Sequence, residues 1–154
     1  MQNHVQPMKS NGYKRIAIAT GGGDAPGLNA VIHAAVCSAQ HQGWDAFGIL
    51  DGLDGLLYPE NYPDGGVMKL TRAMVRDVAH LGGTILGTSN RGNPFRQIVP
   101  QPDGTTREVD RGDEVIRRFR ERRLDALVSV GGDGSLTIAR ELDDTVSNLR
   151  GAGG

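Results

Sequence analysis

The chain has 154 residues, 38% of them hydrophobic and 23% charged, with a formal charge of −1 at neutral pH. That length supports one domain with a core of its own, and the balanced charge supplies no chain-wide attraction to nucleic acid or to anionic lipid. No apolar run reaches the length that spans a bilayer, so neither a membrane nor a nucleic acid is expected as a partner.

Residues 1–13 are polar and lack the apolar segment of a signal peptide, which predicts a cytoplasmic protein with a polar N-terminal tail. Arg15-Ile16-Ala17-Ile18-Ala19 is a β-rich run that stops at glycines, as a buried parallel strand does. The turn Thr20-Gly21-Gly22-Gly23-Asp24-Ala25-Pro26-Gly27 follows. Leu28, Val31, Ile32, Ala35, Val36 and Ala39 then recur at helical spacing, and Gly43 closes that helix. Cys37, the one cysteine, lies in this apolar run and reads as a buried structural thiol. Trp44 to Leu50 supplies the next strand. A right-handed βαβ crossover makes the two strands parallel.

Asp51 to Gly66, rich in Gly, Asp, Pro and Tyr, reads as a loop with little regular structure. Arg72 to His80 is a short helix with Met74, Val75 and Val78 on one side; Gly82-Gly83 ends it and leads into a brief strand, Thr84-Ile85-Leu86. Thr88 to Phe95 is a polar loop, and Ile98 to Glu108 is irregular or a small hairpin. Asp110 or Asp113 caps a helix through Arg123, with Val115, Ile116 and Phe119 inward and the arginines outward. Arg117, Arg118, Arg120, Arg122 and Arg123 are offset by Glu114, Glu121 and Asp125 and have no aromatic interleaving, which favours a solvated face over a nucleic-acid surface. The four histidines lack metal-ligand spacing, and no nucleophile–base pair is visible. Leu124 to Val130 is the last strand, Leu136 to Leu142 starts a further helix, and residues 143–154 read as an atypical, disordered tail. Alternating strands and helices over residues 14–142 predict an α/β domain. Its sheet is open and mostly parallel, with helices on both faces, and incomplete.

The chemistry is concentrated in glycine turns. The chain holds 23 glycines, more than twice the ~7% average usage, and they cluster after apolar runs. The second such turn is Gly131-Gly132-Asp133-Gly134-Ser135, at the end of the last strand. Glycines let backbone approach an anion closely, and a carboxylate in the turn gives a bound Mg²⁺ its oxygen ligand. Asp133 is read as that ligand, with helix N-cap as the competing role, and Ser135 as the better-placed cap. Both turns lie at carboxyl ends of strands, where open parallel sheets bind ligands. The first turn has the glycine spacing of a P-loop, but Leu28-Asn29 stand where Lys and Ser/Thr belong. Arg91, between Asn90 and Asn93, can reach a phosphate or stack on a base.

Three stretches together resemble the 6-phosphofructokinase family, in order and at family-like separations: Ile18 to Ala30, Leu81 to Ser89 and Ala126 to Ser135. The resemblance implies phosphoryl transfer from MgATP, or in some branches pyrophosphate, to the 1-hydroxyl of fructose 6-phosphate, a step of glycolysis. By position, Gly23 would sit against the donor phosphates, Arg91 would match the nucleotide-contacting arginine, Gly132, Asp133, Gly134 and Ser135 would line the ATP phosphates, and Asp133 would hold Mg²⁺. Gly134 favours ATP, because pyrophosphate-using relatives commonly carry an aspartate there. His33 and Cys37 replace the effector-binding arginines of the bacterial ATP enzymes, and the Thr88-to-Phe95 loop is closer to the mixed ATP/pyrophosphate lineage.

The family's Thr-Ile-Asp-x-Asp segment, which supplies the catalytic base, its Met-Gly-Arg segment and its sugar-phosphate domain have no counterpart here. The expectation is therefore the donor-binding half of an enzyme that is a homo-oligomer at full length, inactive alone, with no catalytic base of its own. A non-catalytic fragment that assembles with a full-length partner is the alternative. Lipid and NAD kinases share the Gly-Gly-Asp-Gly turn but lack Gly-Gly-Asp-Ala-Pro-Gly.

Overall fold

The computed structural model describes residues 14–22, 26–89 and 91–151. The N-terminal tail to residue 13, and with it that part of the sequence reading, lies outside the described residues, as do Gly23 and Asn90.

Four strands form the main sheet in the order β3-β2-β1-β6, where β1 is Arg15–Thr20, β2 Asp45–Ile49, β3 Val67–Leu70 and β6 Ala126–Val130. β1 is central, parallel to β2 on one side and to β6 on the other, while β3 runs antiparallel along β2. Helices cover both faces, as the alternation of elements predicts. On one face α1 (Leu28–His41) and α3 (Arg72–Val75) bury Ile32, Val36, Ala39 and Val75 against Ile16, Ile18, Ala46 and Leu70. On the other, α2 (Asp54–Leu57), α4 (Gly112–Glu121) and α5 (Asp133–Gly151) bury Leu56, Leu57, Val115, Ile116 and Leu142 against Ala17, Ala19 and Ile49. The period-two alternation of β1 thus feeds two cores. A hairpin, β4 (Gln97–Pro100) with β5 (Thr106–Val109), stands apart from the sheet and takes the hairpin option for residues 98–108.

Several expectations are corrected. Residues 51–66 are not plain loop: they contain α2 and a 3₁₀ turn at Pro59–Asn61. The helix at Arg72 is a single turn. Thr84-Ile85-Leu86 forms no strand, because side chains and other backbone claim its polar groups. The Ile85 amide donates to Asn29 Oδ1 at 2.8 Å, the Leu86 amide to Thr84 Oγ1 at 3.1 Å, and the Leu86 carbonyl accepts from the Asp51 amide at 2.7 Å. Leu86 itself is a buried plug beside β2. Residues 143–151 continue α5 instead of forming a tail. The helix persists because Leu142 is buried and Val146 packs on the same core, while Thr145 Oγ1 bonds the Glu141 carbonyl at 2.8 Å. Cys37 is half-buried, with Sγ 3.7 Å from His33 Nε2; His33 Nδ1 lies 2.8 Å from the Val75 carbonyl, so the Nδ1–H tautomer leaves Nε2 as the acceptor facing the thiol. A thiol–imidazole pair, not visible in the sequence, therefore exists on α1.

The arginines of α4 are not simply solvated. Arg111 and Arg118 both grip Glu114, and the same two side chains donate to the Leu57 and Leu56 carbonyls at the end of α2, at 3.3 and 3.1 Å. Arg122 donates to the Gly65 carbonyl. Cations at orphan helix carbonyls fix α2 onto α4. The Arg111 hydrogen bond, followed by the partnership with Arg118, holds the Glu114 carboxyl below the ordinary range. A lowered folded-state value contributes stability above the unfolded value and loses it as the pH falls through the folded one. Glu114→Gln is accordingly expected to lower stability by about 1 kcal/mol at neutral pH. In thermal melts the gap from wild type closes on acidification below the ordinary glutamate range; a gap that stays constant with pH would disprove the assignment.

Candidate functional site

The carboxyl ends of β1 and β6 lie side by side, and so do their glycine turns. The Gly21 amide donates to the Val130 carbonyl at 2.8 Å, extending the β1–β6 ladder one step into the turns. Gly131 has no room for a side chain: a Cβ there would strike the Gly21 carbonyl oxygen and Ser135 Oγ. Gly22 has φ +84, in the left-handed region, and a Cβ on it would press within 3.3 Å of the Gly132 amide. Gly21-Gly22 and Gly131-Gly132 are therefore one continuous backbone surface.

That surface forms one end of a cleft of about 490 Å³. Gly132, Asp133, Gly134 and Ser135 line it together with Gly21 and Gly22. α5 begins at Asp133 and runs 19 residues, so its unpaired first-turn amides and the positive end of its dipole meet at this surface. Ser135 sits inside the first turn and faces the glycines, so it is not the cap expected from the sequence. Gly132 and Gly134 face open space. The Asp133 carboxylate is exposed and, among the described residues, has no side-chain hydrogen bond or ion-pair partner. Leu53, Leu57, Leu127, Ile138 and Leu142 also line the cleft and give it an apolar wall.

Two further segments complete the cleft. Buried Thr20 ties the first turn to residues 84–87 through Oγ1, which donates to the Gly87 carbonyl at 2.8 Å and meets Thr84 Oγ1 at 2.9 Å. This brings Ser89 to the rim, where Gly52, Leu53 and Asp54 arrive from the end of β2. Asp54 was missed in the sequence. Its only signal is position, since Asp51-Gly52-Leu53-Asp54 follows a parallel strand and sits on the same ligand-binding edge as the glycine turns.

Arg91 does not line the cleft. Its Nε pairs with Asp54 Oδ2 at 3.2 Å, its guanidinium lies 4.5 Å from the centre of the Tyr58 ring, and its amide donates to Ser89 Oγ at 3.0 Å. Tyr58 is itself fixed: Arg111 lies over the same ring at 4.7 Å, and Tyr58 Oη donates to Gln97 Oε1 at 2.8 Å. Burial pushes the Asp54 carboxyl above the ordinary range despite hydrogen bonding to Ser89 and the charge of Arg91. Among the described residues no group of three His, Cys, Asp or Glu side chains could hold a metal, and no helix is long and apolar enough to cross a membrane.

The unit is a three-layer α/β domain whose glycine turns and helix N-terminus meet at the carboxyl edge of parallel strands, the place where open α/β sheets take their ligands. Over residues 15–152 the chain matches the phosphofructokinase family, and it belongs to that family. It is 46% identical over 129 residues to ATP-dependent 6-phosphofructokinase 1 of Nostoc sp. and 45% identical over 130 residues to the Synechocystis sp. protein of the same name. These alignments cover 84% of this chain and 34% of either relative, so the chain spans about a third of their length. Among solved structures it resembles Pichia pastoris phosphofructokinase in the T-state, with TM-score 0.67 and 34% identity over 87% of this chain and 13% of that one. Saccharomyces cerevisiae phosphofructokinase gives TM-score 0.64 and 34% identity, covering 88% of this chain and 17% of that one.

Proposed function

We propose that this chain binds the MgATP phosphoryl donor of a 6-phosphofructokinase. The observation that carries the reading is the fused pair of glycine turns, with the amino end of α5 and Asp133, which has no side-chain partner among the described residues, facing one cleft. Gly23, Gly132, Gly134 and Ser135 supply backbone to the phosphates, and Arg91 supplies a cation. Asp133 fits Mg²⁺ as a single hard oxygen ligand, the arrangement magnesium adopts when nucleotide phosphates and water complete its shell. When bound, that ion neutralises charge on the transferring group. The apolar wall from Leu53 to Leu142 supports a nucleotide over bare pyrophosphate, because it offers a purine a surface that pyrophosphate has no use for.

Fructose 6-phosphate is the acceptor in this reading, and the complete enzyme is a cytoplasmic homo-oligomer. These 154 residues contain no counterpart of the family's base-bearing segment, so purified chain is expected to bind ATP in a Mg²⁺-dependent way yet turn over little or no fructose 6-phosphate. Titration calorimetry with ATP and with pyrophosphate, with and without Mg²⁺, and a coupled fructose 1,6-bisphosphate assay check both halves. Preference for pyrophosphate would reverse the donor assignment, and robust turnover would refute the division of labour. A second reading, assembly with a fuller partner, rests on the outer edge of β6, which has no strand beside it among the described residues. Light scattering of the chain alone and mixed with a full-length relative tests it.

A further inference from the structure

We propose that Asp54 is a latch for Arg91, a positioning residue that holds the guanidinium off the cleft until a polyphosphate draws it away. The inference rests on the donor-site reading above. Asp54 belongs to the cleft wall and Arg91 does not, yet the two are joined at 3.2 Å. The pair is asymmetric: the Asp54 side chain is 12% exposed and that of Arg91 55%, so the carboxylate is fixed and the guanidinium is free to leave. Arg91 meets Asp54 through Nε, and among the described residues its terminal nitrogens make no hydrogen bond, so they can take another anion. Its backbone is tethered beside the rim through Ser89, so a change of rotamer suffices to move the charge.

The Tyr58 ring gives the parked guanidinium a seat, and that seat is held by Arg111 and Gln97 independently of any ligand. The groups facing Asp54 are Arg91, Ser89, Asp51 and Tyr62, and Tyr62 is committed to Asp51 Oδ2 at 2.9 Å. Among the described residues Asp54 has Arg91 as its one cationic partner, and burial, which already pushes this carboxyl above the ordinary range, lessens the charge that the departing guanidinium leaves behind. A polyphosphate, carrying more than one negative charge, outcompetes a single carboxylate for Arg91.

The latch predicts a gain on mutation. Asp54→Asn is expected to bind MgATP and Mg²⁺-tripolyphosphate about fivefold more tightly than wild type, the size of one partly buried ion pair no longer broken. Arg91→Ala should weaken binding, and most of the Asp54→Asn gain should vanish in the double variant. On the wild-type chain, the ¹⁵N signal of the Arg91 Nε–H should shift when Mg²⁺-tripolyphosphate is added, a readout that needs no variant to fold. Wild-type binding that Asp54→Asn leaves unchanged, a gain that survives without Arg91, or an unmoved Nε–H signal each overturns the latch and leaves the donor site standing. Absence of binding in both wild type and Asp54→Asn overturns the two together.

Discussion

Gly131→Ala is expected to destabilise the chain by about 2–3 kcal/mol and to abolish nucleotide binding, the two effects sharing one cause. Gly131 is not in the left-handed region, so its backbone would accept alanine; the obstacle is the Gly21 carbonyl and Ser135 Oγ, which occupy the space of the methyl group. Backbone cannot rotate away as a long side chain does. The β1–β6 junction must open, and the Gly21-to-Val130 hydrogen bond at 2.8 Å goes with it. Thermal melting should fall by roughly 5–10 °C. Gly132→Ala and Gly134→Ala are the controls, since nothing lies within 4 Å of either added Cβ, and both should fold as wild type does. A Gly131→Ala chain that melts like the wild type and binds ATP would sink the claim that the turns form one surface.

The second large effect concerns the metal. Asp133→Ala should remove the Mg²⁺-dependent part of ATP affinity, on the order of tenfold or more, while barely changing the melt. Loss of an acidic side chain from the first turn of α5 costs the helix only about 0.3–1 kcal/mol. Because Asp133 has no protein partner among the described side chains, nothing else collapses when it is truncated. Calorimetric titration with and without Mg²⁺ reads the difference directly. Full retention of the Mg²⁺ effect would place the cation elsewhere.

The parts of the fold that the sequence announces are those whose burial is two-sided. β1, β2 and β6 are short apolar runs, and they are the three mutually parallel strands of the sheet, with β1, buried along nearly its whole length, between the other two. β3 left no such mark, because Val67-Met68-Lys69-Leu70 is an edge with an exposed lysine and only Leu70 fully buried. Residues 84–86 mislead in the opposite direction. They have strand composition, but Asn29, Thr84 and Asp51 satisfy their backbone in place of a neighbouring strand. The glycine turns were legible because their spacing follows strands. The Asp54–Arg91–Tyr58 assembly was not, since it joins α2 and its C-cap to a loop more than 30 residues later through contacts that no periodicity records.

The pairing of β1 with β6 sets the order in which the molecule can be built. Ile16 meets Ala126, about 110 positions later, whereas β1 meets β2 after a single helix. Contacts of such long span carry the larger chain-closure entropy and belong to the slow part of folding. The first glycine turn leaves the ribosome early and waits for its counterpart. The cleft therefore comes into being as a late event, after the βαβ unit that carries half of it has had time to form.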